Sequence, residues 1–574
     1  MALALALSAL HASSNTPVAD AVMKGDTAAV KALLKEGSDV NAAQGDGMTA
    51  LHWAARSGDA DLARILLFAG ANVKAITRLG SYTPLMMAAE LGHPDVIAAL
   101  LSAGAEVKLA NTTGATALML AAQSGNGRAV TMLVENGAEV DAREKVFGQT
   151  ALMFAAATNR VDAINALLKA GASHALTSTV VNVGSLSGFE QDALQGGAGA
   201  AMAGAAGAAG AAGAAGAAAG AGQGQGGSGG RFGGGAKPGI DRPYFYNELI
   251  GTQGGMTPLL LAARGGFTDV AKSLVAAGAD VNQPGAGDKT SPLLMATING
   301  HFDLASWLVA QGAHPNAAAA NGVAPLFAAL NVTWAARTLY PQPRAFQQQA
   351  ITYVDLMRIL LDKGADPNQR VNRKVWYSEY NFDLAGVDEI GATPFWRAAF
   401  AGDVAAMTLL MEYGADPAIP TMKPAGRPRV GDAGARDAKD VSGLPLLPVG
   451  GPGVPPLQAA AGVGFGEGFA ANSHIHAPGG FLPGIKFLVE VAGADVNAVD
   501  HDGDTALHHA AARGDNEAIL YLVSKGADVT KVNREGQTVA DMANGPVQRV
   551  QPFPETLQLL EKLGSKNNHK CVSC

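Results

Sequence analysis

The fold of this chain is decided by a recurring stretch, seen clearly as TALHWAARSGDADLARILLFAGANV at residues 49–73. Within this copy, Gly58 lies nine residues after Thr49, and Gly70 lies twelve residues after Gly58. Five more copies keep both spacings: Thr83/Gly92/Gly104, Thr116/Gly125/Gly137, Thr257/Gly266/Gly278, Thr393/Gly402/Gly414 and Thr505/Gly514/Gly526. Uninterrupted copies begin 33 or 34 residues apart. A period of this length predicts a stack of small units rather than one closed core.

Each recurring residue has a mechanical role. Thr83 before Pro84 predicts a helix start, because Thr can cap the helix and the missing N–H of Pro costs nothing there. Gly92 predicts the end of that helix, since Gly adopts the left-handed conformation at low cost. Leu100 and Leu101 mark a second helix, where burial of each side chain is worth about 1.5–3 kcal/mol. Each unit is therefore predicted to consist of two short helices and a turn.

The repeat resembles the ankyrin repeat, most clearly at residues 49–55 and 505–511, and the resemblance covers about two-thirds of the chain. It implies an all-α repeat solenoid of stacked helix-turn-helix units with hairpin-like loops, interrupted by flexible insertions. We count about twelve units between Thr16 and Gly564. The resemblance also implies that His52 and His508, at the family's Thr-Pro-Leu-His position, bond to the backbone between units.

The longest insertion contains a Gly-Ala tract that has no charged residue between Ala193 and Gly230. A Gly at every third position disfavours a helix, because Gly costs about 1 kcal/mol relative to Ala. We therefore predict a flexible tether that divides the stack into arrays of five and about seven units. The predicted organisation is a signal peptide or frayed start at 1–14, an N-terminal ankyrin array at 15–172, the insertion at 173–254, central ankyrin units at 255–417, a disordered Pro/Gly-rich loop at 418–453, C-terminal units and a cap at 454–564, and a tail at 565–574.

Two aromatic segments, residues 242–248 and 373–382, each lie shortly before a helix start, where ankyrin units project their fingers. Aromatic and Arg side chains dominate the binding energy of many interfaces. The alternative is that each segment packs back onto its own stack and seals the insertion. On the first interpretation, the predicted partner-binding residues are Trp376, Tyr377, Tyr380, Tyr244, Phe245 and Tyr246.

Composition and motifs argue against several classes of function. A net charge of −8 and a pI near 5.8 provide no electrostatic footprint for nucleic acid. No apolar run has the length of a membrane-spanning helix. We find no Ser-His-Asp or Cys-His constellation and no paired carboxylates in a plausible cleft, so we expect no enzyme and no cofactor. His474 and His476 could share one side of an extended segment, but they lack a clear third ligand, and we predict no metal site.

The two ends of the sequence raise the question of export. Ala2–Leu10 is an apolar run of signal-peptide length, although no Lys or Arg precedes it, and the alternative is the frayed start of the first helix. Cys571 and Cys574 are the two cysteines of the chain, which stops where the His of a haem-attaching Cys-x-x-Cys-His motif would stand. Otherwise they form a redox-labile pair in the tail. Haem attachment and a signal peptide both imply an exported protein, periplasmic or secreted. Without them, we expect a cytoplasmic one.

Two hypotheses of function follow. The main one is a monomeric, non-catalytic scaffold that binds a protein or peptide partner through the concave, finger-lined face of the stack. The alternative is the ankyrin arm of an exported c-type cytochrome that transfers electrons. Its haem domain would follow Cys574 in a longer chain.

Overall fold

The computed structural model describes residues 16–183, 237, 240, 242, 246–335, 344–375, 387–425, 440–465, 475–545 and 551–569. These residues contain 25 α-helices, one 3-10 helix and one two-stranded sheet. Twelve repeats account for 24 of these helices, with two helices in each repeat. The all-α repeat solenoid that the sequence predicts is confirmed. Within the same residues, no helix combines the length and hydrophobicity needed to cross a membrane.

The helices follow the repeat period. Before the long insertion, the chain forms α1 (Pro17–Met23), α2 (Thr27–Lys35), α3 (Ala50–Ser57), α4 (Ala60–Phe68), α5 (Pro84–Glu90), α6 (Pro94–Ser102), α7 (Ala117–Ser124), α8 (Gly127–Glu135), α9 (Ala151–Ala157) and α10 (Val161–Lys169). The insertion contributes strand β1 (Val180–Asn182), helix α11 (Tyr246–Ile250) and strand β2 (Thr252–Gly254), and the two strands pair.

After the insertion, the same alternation of helices resumes. The chain forms α12 (Pro258–Gly265), α13 (Thr268–Ala276), α14 (Pro292–Ile298), α15 (Phe302–Ala310), α16 (Pro325–Thr333), the 3-10 helix (Ala345–Gln348), α17 (Tyr353–Asp362), α18 (Pro394–Phe400), α19 (Val404–Glu412), α20 (Pro456–Ala461), α21 (Leu482–Glu490), α22 (Ala506–Ala512), α23 (Asn516–Ser524), α24 (Val539–Ala543) and α25 (Pro554–Lys562).

The helix starts at Thr257 and Thr49 show caps of the kind that the sequence predicts. The Thr257 hydroxyl accepts the backbone N–H of Leu260 at 3.1 Å and so caps α12. At α3, Thr49 Oγ1 lies 2.8 Å from His52 Nδ1, while His52 Nε2 lies 3.0 Å from the carbonyl oxygen of Tyr82 in the next repeat. Burial lowers the pKa of His52. The structural role that the ankyrin resemblance implies for His52 is therefore confirmed.

The described residues group into two compact units. The first unit holds the repeats of α1–α10 and the repeat of α12 and α13, and its described part runs to Thr179 and then covers Gly254–Asp280. The first helices of its repeats (α1, α3, α5, α7, α9 and α12) pack in succession. Most of the second helices do the same, from α4 to α13. The second unit holds the six repeats from α14 to α25.

The long insertion does not end the first stack, in contrast to the division into five and seven units that we expected. Helix α12 packs on α9, and α13 packs on α10. The two ends of the insertion meet, because the Ser178 N–H donates to the Met256 carbonyl and the Met256 N–H donates to Ser178 Oγ, both at 2.9 Å. A loop whose ends are joined in this way can be long at small entropic cost. The sixth repeat therefore continues the first unit.

In the second unit, the described parts of residues 418–453 differ from the disordered loop that we expected. The two sides of this segment pair with each other: the Lys423 N–H donates to the Gly451 carbonyl at 2.8 Å, and the Gly453 N–H donates to the Thr421 carbonyl at 2.8 Å. These bonds satisfy backbone groups that a loop would leave to water. Residues 426–439 lie outside the described residues.

In the eighth repeat, the helices α16 and α17 are separated by residues 334–352, and we call this repeat the split eighth repeat. One carboxylate links it to the ninth repeat. Asp403 Oδ2 accepts the indole N–H of Trp334 at 3.0 Å and the hydroxyl of Tyr353 at 2.6 Å. Its other oxygen accepts the backbone N–H of Ala406 at 3.0 Å and caps α19. Burial and the Asp403 carboxylate raise the pKa of Tyr353 far above its usual range. This network holds the two separated helices of the eighth repeat against the ninth repeat.

Candidate protein-binding face

The aromatic residues that the sequence singles out fall where the structure gives no side chains. Trp376, Tyr377, Tyr380, Tyr244 and Phe245 lie outside the described residues, and so does the side chain of Tyr246, whose backbone begins α11. Their role in binding stays a prediction. His474, Cys571 and Cys574 also lie outside the described residues, so the predictions that involve them stay predictions.

The start of the second aromatic segment is packed into the fold. Val375 is fully buried in an apolar cluster that includes Trp396 and Val454. The Lys374 ammonium group is also buried and donates to the Val387 carbonyl at 3.3 Å. At this end of residues 373–382, the alternative interpretation, in which the segment seals its own insertion, describes the contacts.

The first unit has a row of apolar side chains that we did not single out from the sequence. Each stands four residues after the capping Thr of a first helix. Because these helices pack side by side in the same register, the side chains line up across the unit. We name this set the first-helix row: Trp53, Met87, Leu120, Phe154 and Leu261. Trp53, Met87 and Phe154 are half-buried, whereas Leu120 and Leu261 are buried.

Polar contacts fix the orientation of Trp53 within this row. Its indole N–H donates to Gln44 Oε1 at 2.8 Å, and the Gln44 amide donates to Asp20 Oδ1 at 2.6 Å. The Arg56 guanidinium carbon lies 5.9 Å from the centre of the Trp53 ring, within range of a cation–π contact. The Trp53 ring is therefore held in one position while part of its surface stays open.

Charged groups lie three residues after the row position in three of the five repeats that form the row. Arg56, Glu90 and Arg264 occupy this position in the second, third and sixth repeats. Burial raises the pKa of Glu90, an effect that the positive charge of Arg56 opposes. Burial lowers the pKa of Arg264. The row therefore combines apolar side chains with neighbouring charges of both signs.

The equivalent positions of the second unit are mostly covered. They are Met295, Ala328, Arg397, Ala459, His509 and Met542, and all except the half-buried Met295 are buried. Ala328 and Ala459 belong to the apolar cluster around Trp396, whose indole N–H donates to the Val454 carbonyl at 2.9 Å. Part of that cluster comes from segments between repeats, such as the one that carries Val375.

A buried group of titratable side chains lies in the eleventh repeat. Atoms of Asp500, Asp504 and His509 approach within 4.8 Å of one another, and within the described part of the chain this is the group that could hold a metal ion. His509 Nε2 lies 2.8 Å from Asp500 Oδ2, and the Asn533 amide donates to Asp504 Oδ1 at 2.9 Å. The other Asp500 oxygen accepts the backbone N–H of Asp504 at 2.9 Å. These bonds stabilise the finger of the repeat, which is the turn at residues 500–504 before its first helix.

Burial and like charge perturb the ionisation of this group. Burial and the neighbouring Asp500 raise the pKa of Asp504 to about 8. Burial opposes the charge of His509, but its hydrogen bond to Asp500 raises the pKa of His509 and lowers that of Asp500. One signal for this cluster is present in the sequence. Asp500 and His509 occupy the same repeat positions as Gln44 and Trp53, which are also hydrogen-bonded to each other.

Stacked helix pairs with a finger turn between them define the class of repeat solenoids that serve as protein-interaction modules. The family model for ankyrin repeats in three copies matches residues 5–77, 85–178, 242–319, 259–349 and 473–568. These segments cover more than half of the chain, which therefore belongs to the ankyrin repeat family. Ankyrin repeats are protein–protein interaction modules, so the described stack is of a kind that binds proteins.

Two curated relatives share shorter stretches with the chain. It is similar to protein phosphatase 1 regulatory subunit 12A of Rattus norvegicus, with 39% identity over 95 residues, which is 17% of this chain and 8% of the relative. The similarity to protein phosphatase 1 regulatory subunit 12A of Mus musculus is 44% over 71 residues, covering 12% and 7% of the two proteins. The matched part spans less than a tenth of the length of these relatives.

Proposed function

We propose that this chain is a non-catalytic scaffold that binds a protein or peptide partner through the first-helix row of its first unit. The single observation that carries the proposal is the row itself, in which Trp53, Met87 and Phe154 keep part of their surface open in three different repeats. Partly exposed apolar side chains that recur along a stack form an apolar surface, and such surfaces mark interaction sites.

The geometry suits an extended or helical peptide laid across the repeats. Trp53 is the strongest anchor, because aromatic residues bury large areas on binding and truncation of a hot-spot residue typically costs about 2 kcal/mol or more. Its ring is already oriented by Gln44, so little rotamer freedom is lost when a partner docks. Arg56 and Glu90 supply charges of opposite sign beside the row and would fix the register of the partner.

The relatives agree with a binding role. The rat and mouse relatives are named as a regulatory subunit of protein phosphatase 1. The part that resembles this chain is of the length of about three repeats. We extend to this chain the role of a binding module and leave the identity of the partner open.

The test is quantitative affinity purification with two full-length variants. Trp53→Ala removes the anchor from the row, and Phe68→Ala removes an aromatic that is 96% exposed at the end of the second helix α4. We expect proteins captured by the wild-type chain to be lost with Trp53→Ala and retained with Phe68→Ala. Partners that bind both variants equally would show that the site lies elsewhere, for example at Trp376. Circular dichroism of both variants checks that the fold is intact.

The second hypothesis, the arm of an exported c-type cytochrome, has its own test. It depends on Cys571 and Cys574, which lie outside the described residues. Reading the encoding DNA past Cys574 separates the two hypotheses, because a His codon followed by a cytochrome-like stretch would favour the cytochrome. The location of the protein, exported or cytoplasmic, is decided by the same reading together with N-terminal sequencing of the mature chain.

A further inference from the structure

The finger of the last repeat is the turn at residues 533–537, and it contains an arginine with two different sets of contacts. Arg534 is anchored to the preceding finger, where its backbone N–H donates to the Asp502 carbonyl and its Nε–H donates to the His501 carbonyl, both at 2.9 Å. The outer nitrogens of its guanidinium group point away from this anchor. They contact a segment more than eighty positions earlier in the sequence.

That segment is DVSGLP at residues 440–445, which we call the strap. Asp440 Oδ2 lies 2.5 Å from Arg534 Nη1, and the Pro445 carbonyl accepts the Nη2–H of Arg534 at 2.7 Å. The Val441 N–H donates to the Arg534 carbonyl at 3.2 Å. The strap forms neither helix nor strand, and it contacts the finger through both side-chain and backbone atoms.

The strap also has a fixed register. Leu444 lies against Gly503 in the finger of the eleventh repeat, where a Cβ atom on Gly503 would stand 3.2 Å from Leu444 Cδ1. Ser442 N–H and Oγ–H both donate to Asp440 Oδ1, at 2.9 and 2.7 Å, and hold the carboxylate toward Arg534. These contacts recognise an acidic side chain, a tight Ser-Gly turn and a Leu at defined spacing.

The strap is held by polar contacts more than by a core. Val441 is 57% exposed, and Leu446, which follows the strap, is 85% exposed. One ion pair, a few hydrogen bonds and a single apolar contact form a weak interface by the standards of stable complexes. Its retention depends on the high local concentration that comes from being part of the same chain.

We propose that the fingers of the last two repeats, centred on Arg534 and Gly503, form a binding site for an acidic peptide of the pattern Asp-x-Ser-Gly-Leu-Pro that turns at its Ser-Gly, and that the strap occupies this site in cis as a competitor. The site belongs to the second unit and does not depend on the first-helix row. A partner that presents a similar segment displaces the strap, and the strap sets the concentration at which the partner binds.

The test uses the full-length chain and a labelled peptide with the sequence of residues 440–447. Fluorescence anisotropy measures its binding to the wild type and to the double variant Asp440→Ala/Leu444→Ala, in which the strap is weakened but the fingers are unchanged. Because the tethered strap competes at a high effective concentration, we expect the peptide to bind the variant about tenfold more tightly, or better, than the wild type.

Changes in the peptide keep the test independent of protein folding. A peptide with Asn in place of the Asp should bind the double variant about tenfold more weakly, because a charge-assisted bond to Arg534 is lost. Adding Arg534→Gln to the double variant should abolish the difference between the two peptides. Equal binding of the peptide to wild type and double variant, no binding to the double variant, or equal binding of both peptides to it would each overturn the proposal.

Discussion

The two compact units are built from the same repeat and differ in what covers their first helices. In the first unit, the long insertion leaves the stack at Thr179 and returns at Gly254, and the first-helix row keeps three half-open side chains. In the second unit, segments between the repeats fold back, and five of the six equivalent positions are buried. The repeat frame thus fixes where an apolar strip can lie, and segments between the repeats cover part of it in the second unit. The comparison makes the first unit the better candidate for a partner and the second the more irregular.

The largest expected effect separates a covered tryptophan from an open one. Trp396 is fully buried, stacks on Phe400 with ring centres 5.3 Å apart and donates to the Val454 carbonyl. Trp396→Ala should therefore cost about 3–5 kcal/mol of unfolding free energy. Trp53→Ala in the first unit is the matched control and should cost about 1 kcal/mol. Urea titrations followed by circular dichroism measure both, and equal costs would contradict the contrast between the units.

The next effect concerns the bond that ties the split eighth repeat to the ninth. Tyr353→Phe removes the 2.6 Å bond to the buried side of Asp403 and should cost about 1.5–3 kcal/mol, the usual range for a hydrogen bond to a charged group. Tyr413→Phe removes a bond to Asp362 at an exposed site and should leave the stability nearly unchanged. Hydrogen exchange of residues 344–362 gives the local measurement. Similar protection in the two variants would show that the Asp403 network is not what closes this repeat.

A smaller effect distinguishes the units by their response to pH. At the positions where the first unit has Gln44 and Trp53, the second has Asp500 and His509 beside Asp504. The folded pKa of Asp504, about 8, is above its ordinary value, and that of His509 is also raised. Stability from both groups is fully present below their ordinary pKa values and is lost as the pH rises through their raised folded pKa values.

We therefore expect the free energy of unfolding of the second unit, measured by urea titration, to be lower at pH 9 than at pH 6 by on the order of 1 kcal/mol. The first unit should not share this decrease. Asp504→Asn keeps the shape of the side chain and should flatten the pH dependence. A profile that is unchanged in this variant would assign the effect to other groups.

The smallest expected effect is that of shortening the Gly-Ala tract. Replacing residues 193–230 by a few Gly-Ser residues should change the stability of the first unit by less than about 1 kcal/mol, because loop-closure entropy changes by only about 0.6 kcal/mol per doubling of length. The bonds between Ser178 and Met256 hold the ends together whatever the length between them. Thermal unfolding measures the change. A large loss of stability would mean that the tract contributes contacts to the stack.

Most of the repeat structure could be predicted from the sequence. Thr before a helix and Gly after it act within a few residues, so the caps of α3 and α12 and the left-handed Gly58, with φ of 77°, follow from local chemistry. The first-helix row was also implied by the period, although aromatic segments drew our attention instead. The candidate residues in those segments, such as Trp376, lie outside the described residues, and their function stays a prediction.

By itself, the sequence determined the family, the approximate number of repeats and the helix pair within each, because each of these depends on spacings that recur every 33 or 34 residues. Only the tertiary structure decided where the units begin and end and which surfaces are covered. Ser178 meets Met256 across 78 positions, and Asp440 meets Arg534 across 94. Such contacts involve insertions that do not follow the period, so no recurring spacing in the sequence predicts them. They form because the stack brings distant segments together, and the cost of closing long loops grows slowly enough to permit it.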